Sequence, residues 1–244
     1  MVLGVAFQVC STSRGTIFLD ASRMKNLTQI VPHAICLTGP DSPHRRDIEA
    51  LIERTFSNCY DSKISRHYPN LLSVHDVHGN VLAAVGFRSA AKETLFLEQY
   101  LSQGVERAAG DAFGAAIERN QIIEIGNLAS NGKGASIFLF VTLAAYLKQQ
   151  GYTHAVATAT DTLRKAFRFL KFDLVELAAA DRSALPDQGR TWGRYYESDP
   201  VVVACPISQG FGRLERFMPA QSNPDIHSLF STRRDCIAEE TAIQ

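Results

Sequence analysis

The sequence predicts one mixed α/β (α+β) domain, a central sheet flanked by helices, in which an antiparallel half precedes a βαβ half. Three observations predict it. Residues 71–75 and 81–87 flank Asp76-Val77-His78-Gly79-Asn80, the pattern of strand, turn and strand. Residues 121–128 run as a strand through the loop 129–134 into an almost wholly apolar helix, 135–149, which Gly151 stops. Residues 153–160, 162–170 and 172–177 then alternate as strand, amphipathic helix and strand.

Taken in order, residues 1–43 are expected to be an N-terminal extension, closed by the loop Gly39-Pro40-Asp41-Ser42-Pro43. A helix over 45–56 follows, because Ile48, Leu51, Ile52 and Phe56 recur at helical spacing while Asp47, Glu49 and Glu53 face outward. The hairpin comes next, and the helix over 135–149 is apolar enough to require burial. A final strand over 201–205 ends a domain spanning 44–207. Residues 208–244 are polar and unpatterned, which predicts a mobile tail.

With 244 residues, the chain can bury a full core. Lys+Arg and Asp+Glu both number 25, so the basic excess of a nucleic-acid binder is missing. Five scattered cysteines, never spaced Cys-x-x-Cys, fit a reducing compartment. The first ten residues lack the charged and apolar regions of a secretory signal, and the apolar run 137–147 is too short to span a bilayer. A cytoplasmic protein without stable membrane insertion is expected. The histidines offer no ligand set, so no metal is predicted, and no Gly-x-Ser-x-Gly elbow marks a serine hydrolase.

The most informative stretch is Glu124-Ile125-Gly126-Asn127-Leu128-Ala129-Ser130-Asn131-Gly132-Lys133-Gly134-Ala135. A strand entering a helix through glycines presents free N–H groups and the positive end of the helix dipole, which suit a phosphate; a flexible surface loop is the other reading. Strand alternation puts Glu124 and Asn127 on opposite faces, and a bulge at Gly126 would turn both toward one cleft. There Glu124 would act as a general base, or else stand as a solvated strand-edge carboxylate.

At these residues the chain resembles the thermostable hemolysin family, which groups with the GNAT-like acyltransferases and the acyl-homoserine lactone synthases. The resemblance runs from about Arg45 to Ile207. It rests on Leu71-Leu72, Ala83 to Arg88, Leu95 to Leu101, Glu124 to Ser130, Thr158 to Thr160, Leu177 to Asp181 and Trp192-Gly193-Arg194-Tyr195-Tyr196. It implies a single GNAT-like domain. No cofactor would be bound permanently: the donor would be acyl-CoA or the phosphopantetheine of acyl carrier protein, and the acceptor a small amine.

The resemblance further implies that Gly132, Lys133, Gly134 and Ala135 hold the donor phosphate, and that Asn127, Leu128 and Ala129 pair with the pantetheine amides. The GNAT motif Gln/Arg-x-x-Gly-x-Gly/Ala is matched in its glycines, but Ala129 takes the Gln/Arg place. Phe167 stands where many GNAT enzymes carry the Tyr that protonates the leaving thiolate, so either the thiolate leaves without that acid, or Tyr195 or Tyr196 supplies it, or acyl transfer is not the activity. Lactone synthases share Gly86-Phe87-Arg88 and the acidic residue, yet carry Arg where this chain has Asn127.

Arg88 could bind an acceptor carboxylate or pair with Glu98 or Glu124. Glu98 and Trp192 complete the candidate substrate contacts, Trp192 as an aromatic wall or as packing over the sheet end. Arg164, Lys165, Arg168 and Lys171 form a basic stripe, for an acidic carrier protein, for a CoA phosphate or for solvent. The expected activity is N-acyl transfer. The alternatives are a catalytically silent binding module and a membrane-active haemolysin.

Overall fold

The computed structural model describes residues 1–219. Its strands are β1 (Val2–Val9), β2 (Thr12–Asp20), β3 (Ala34–Thr38), β4 (Asn70–His75), β5 (Val81–Ser89), β6 (Ile122–Ser130), β7 (His154–Ala159), β8 (Val175–Ala179) and β9 (Val201–Pro206). The helices are α1 (Ala21–Met24), α2 (Arg45–Tyr60), α3 (Val105–Phe113), α4 (Ser136–Gln149), α5 (Asp161–Phe169) and α6 (Ile207–Leu214). The strands make one sheet in the order β2-β1-β3-β4-β5-β6-β7-β9-β8. Pairing is parallel at β1/β3 and β6/β7 and antiparallel at the other junctions.

Period-two alternation decides what each face carries. On one face Leu71, Ala84 and Ala129 meet Ile48, Leu51, Ile52 and Phe56 of α2. On the other, Leu72, Val74, Ala83, Val85 and Phe87 meet Phe138, Leu139 and Val141 of α4. Each fully buried large apolar side chain contributes about 1.5–3 kcal/mol, which makes α4 a main anchor of the fold. Further along the α2 face, Leu95, Leu97, Val105 and Ala109 cover Ile122, Val156 and Val202.

Four expectations change. Residues 1–43 are not merely an extension, because β1, β2 and β3 widen the same sheet and Val5, Phe7, Ile17, Leu19 and Ile35 enter its core. The expected tail begins with a packed helix: Ile207 and Leu214 of α6, and Phe217 after it, are buried in that core. Residues 220–244 lie outside the described residues. Helix α2 also runs a turn further than its apolar spacing predicts, to Tyr60, and the strand expected over 172–177 occupies Val175–Ala179.

Candidate active site

Strands β5 and β6 pair Gly86 with Gly126 and Ala84 with Ala129, so Val85 faces both Asn127 and Leu128. This is a β-bulge, and Asn127 absorbs it in a left-handed conformation, φ 49°. Its side-chain Oδ1 accepts from the Tyr68 N–H at 3.2 Å. Glu124 and Asn127 thus both reach the Tyr68 side of the sheet, as a bulge next to Gly126 requires.

Tyr68 arrives from the segment between α2 and β4 and lies flat on the paired glycines. A Cβ at Gly86 would stand 2.7 Å from the Tyr68 Cβ, and one at Gly126 2.6 Å from its Cζ, so only glycine leaves room for the ring. The Arg88 guanidinium carbon sits 4.3 Å from the ring centroid. Burial, and then the Glu124 charge, hold the Tyr68 phenol well above its ordinary range.

Glu124 is 1% exposed. Leu97 N–H donates to Oε1 at 3.0 Å and Phe96 N–H to Oε2 at 3.1 Å. Arg88 Nε lies 2.9 Å from Oε2 as a charge contact, its N–H not aimed at the oxygen. Burial raises the Glu124 pKa, with Arg88 and the two backbone donors opposing. Arg88 also meets Glu93 at 3.3 Å. Its partner is therefore Glu124 and not Glu98. Glu98 instead accepts from the Leu95 and Val105 N–H groups and from Arg119 at 2.7 Å, tying down the segment over the α2 face.

The ladder between β6 and β7 joins only residues 122–125 to 154–157. Beyond it β6 stays with β5 and β7 with β9, so the two strands diverge and a cavity of about 1380 Å³ opens. It reaches both faces of the sheet. On the α2 side its walls include Tyr60, Tyr68, Arg88, Phe96, Tyr100 and Trp192; on the α4 side they include Ser136, Phe140, Phe167, Phe172 and Leu214. Asn127 and Leu128 are on the wall; Ala129 is buried against α2.

Tyr195 is buried, and its hydroxyl donates to the Thr158 carbonyl at 3.3 Å, just past the last β6/β7 pair. Burial raises its pKa and that of Tyr196. Tyr196 and Tyr100 share a hydroxyl–hydroxyl bond of 2.5 Å. Trp192 packs on Phe96 at 5.3 Å and Tyr195 at 5.2 Å, so it both packs over the sheet end and walls the cavity. Phe167 packs tilted against Phe140 at 5.4 Å and offers no acid.

The glycine loop lies at the start of α4, with Gly132, Lys133 and Gly134 all at positive φ. The segment after α1 covers it: Lys133 C=O accepts from the Gln29 N–H at 3.0 Å and from Thr28 Oγ1 at 3.1 Å. A Cβ on Gly134 would overlap the Leu27 carbonyl, so that close approach itself demands glycine. Sequence reasoning missed Tyr68 and Tyr100. The one trace of Tyr68 is the pair of glycines set opposite each other in adjacent strands.

A model of the thermostable hemolysin family matches residues 38–211, from the end of β3 into α6. The chain belongs to the thermostable hemolysin family. A search of curated proteins gives no sequence match. Among solved structures, apo TofI is similar at 11% identity and TM-score 0.53, over 74% of this chain and 95% of that one. The AHL synthase LasI is similar at 12% and 0.52, over 77% and 97%. FeeM, an N-acyl amino acid synthase from uncultured soil microbes, is similar at 12% and 0.52, over 75% and 97%. At these identities the likeness defines the fold, and this family member has the GNAT-like acyltransferase fold.

Proposed function

We propose that the protein moves an acyl group from a pantetheine thioester, acyl-CoA or acyl carrier protein, to a small amine. The observation that carries this reading is the gap between β6 and β7, where one cavity crosses the sheet beside a bulge. Two reactants can approach from opposite faces and meet there. The donor lies on the α4 side: its amides run along the backbone at Asn127, Leu128 and Ala129, and its phosphate goes to Gly132, Lys133, Gly134 and Ala135 at the start of α4, which requires the covering segment at Thr28 and Gln29 to move aside. The apolar wall of Phe140, Phe167 and Phe172 suits an acyl or pantetheine chain. The acceptor enters on the α2 side, past Arg88 and Trp192. Glu98, held by Arg119, supports that side without touching it.

The amine lone pair attacks the thioester carbonyl carbon, the C–S bond breaks and the thiolate takes a proton. Tyr195, at the open edge of β7, supplies that proton in place of the acid missing at Phe167, while Tyr196 and Tyr100 are bonded to each other and not to its hydroxyl. Glu124 acts by fixing Arg88 and Tyr68 at the gap. Among the described residues no helix is long and apolar enough to cross a membrane, and a cytoplasmic site of action belongs to the same proposal.

The test is thermal shift of the purified protein with CoA, acetyl-CoA, long-chain acyl-CoA and acyl carrier protein, followed by thiol release with a panel of amines. A donor-specific shift and amine-dependent thiol release support transfer. A shift without thiol release would favour the silent binding module, which the Phe167 position motivates. Leakage of liposomes by the pure protein without substrates would favour a direct haemolysin.

A further inference from the structure

Acyl transfer to an amine needs a base for the ammonium proton, and Glu124 is poorly placed to be that base. Its oxygens are held by Phe96, Leu97 and Arg88, and it does not reach the cavity wall. Among the described residues, three on the cavity wall hold a buried polar atom without a hydrogen-bond partner: His67 Nδ1, Arg88 Nε and Thr158 Oγ1. Leaving such an atom unpaired costs roughly 1–3 kcal/mol, so each marks a place that a ligand or water can satisfy.

His67 differs from the other two because it is a base whose second nitrogen is fixed. Nε2 lies 3.1 Å from Glu53 Oε1 on α2, and Arg46 holds Glu53 through contacts of 2.7 and 3.2 Å. The side chain is 10% exposed. When Glu53 accepts from Nε2–H, the ring's lone pair is on Nδ1, the nitrogen left without a partner. Next in the chain is Tyr68, whose ring rests on Gly126 beside the gap.

We propose that His67, oriented by Glu53, is the general base for the acceptor amine, acting directly or through one water; this rests on the acyl-transfer reading above. The amine nitrogen bonds to the thioester carbon as the C–S bond breaks. Before that bond forms, the proton of the acceptor's ammonium passes to His67 Nδ1 and frees the lone pair; once it has formed, the nitrogen's surplus proton goes to the departing thiolate. An amide and a free thiol result. Glu53 is a positioning residue, fixing the tautomer and stabilising the charged ring.

The experiment compares wild type, His67→Gln and Glu53→Gln, with octanoyl-CoA as donor and amino acids, alkylamines and hydroxylamine as acceptors, at a single pH. Gln keeps a donor for Glu53 at the position of Nε2 and removes the base. Thiol release by His67→Gln with alkylamines or amino acids should fall about 10²–10⁴-fold. It should fall far less with hydroxylamine, which is unprotonated at neutral pH, and the thermal shift with donor should not change. Glu53→Gln should show a smaller loss with the same dependence on the amine. It decides the matter alone if His67→Gln does not fold. Wild-type rates in His67→Gln, or equal losses with every amine, would overturn the base and leave acyl transfer standing. A wild type that releases no thiol with any amine would overturn both.

Discussion

Replacing Gly126 by Ala should destabilise the protein through one contact, the Tyr68 ring. The added Cβ would sit 2.6 Å from Cζ and 2.8 Å from Cε2 of Tyr68, where carbon pairs are comfortable at about 3.5–4.0 Å. The ring has little freedom to retreat, because its own Cβ is close above Gly86 and Arg88 stacks on it. Overpacking of this kind costs about 1–3 kcal/mol. With Tyr68→Ala as background the obstruction is gone, and Ala in a strand is better than Gly by roughly 0.5–1 kcal/mol. The same substitution should then turn neutral or stabilising, a coupling of roughly 1.5–4 kcal/mol between the two sites. Urea unfolding of wild type, both single variants and the double variant measures it. An equal penalty for Gly126→Ala in both backgrounds would refute the account of why β5 and β6 carry facing glycines.

Arg88→Met removes the cation beside a 1% exposed carboxylate, and breaking such a pair costs about 3–5 kcal/mol when the carboxylate is charged. Because burial already raises the Glu124 pKa, its contribution is most favourable at acid pH and is lost as pH rises through the folded value; removing Arg88 moves that value higher. The deficit against wild type should therefore grow from acid to neutral pH, as thermal melts across that range would show. Asn127→Ala should cost about 1–2 kcal/mol more than Asn127→Gly, because both lose the bond to Tyr68 N–H and only Ala is strained at φ 49°. Denaturation midpoints of the two variants decide it. Tyr195→Phe should slow thiol release about 10²-fold or more if that hydroxyl is the acid, with donor binding measured by thermal shift unchanged. Unaltered release kinetics would remove Tyr195 from the chemistry.

The half of the chain carrying the gap could be read from sequence because its elements are local. Helical spacing in α2, the Asp76–Asn80 turn, and the glycines stopping β6 and α4 are signals confined to a few residues. The β1/β2 hairpin escaped because Cys10 and Ser11 make its turn at φ 46° and 67°, a task usually marked by Asn and Gly. Strand β3 finds its neighbours β1 and β4 far along the chain, a pairing that no local pattern records. Helix α6 carries Gly210 and Gly212, which lower its helix propensity, and its stability comes from packing. At the site, Glu124 and Asn127 stood out by residue type and Gly126 by its freedom to bulge. Tyr68, His67 and Glu53 did not, because each gains its meaning from partners on another element.

A flat nine-stranded sheet has two borders; this one has a further pair inside it. Past Ile125 and Ala157, β6 and β7 no longer pair with each other, while β6 stays paired with β5 on either side of its bulge and β7 with β9. An extended chain threaded there could complete the pattern as an additional, temporary strand. The width available to it depends on the side chains of α4 and α6 and not on hydrogen bonds across the junction. Evolution can therefore retune what fits by exchanging Phe140, which is only partly buried against the core, for a smaller or larger neighbour, without disturbing either half of the sheet.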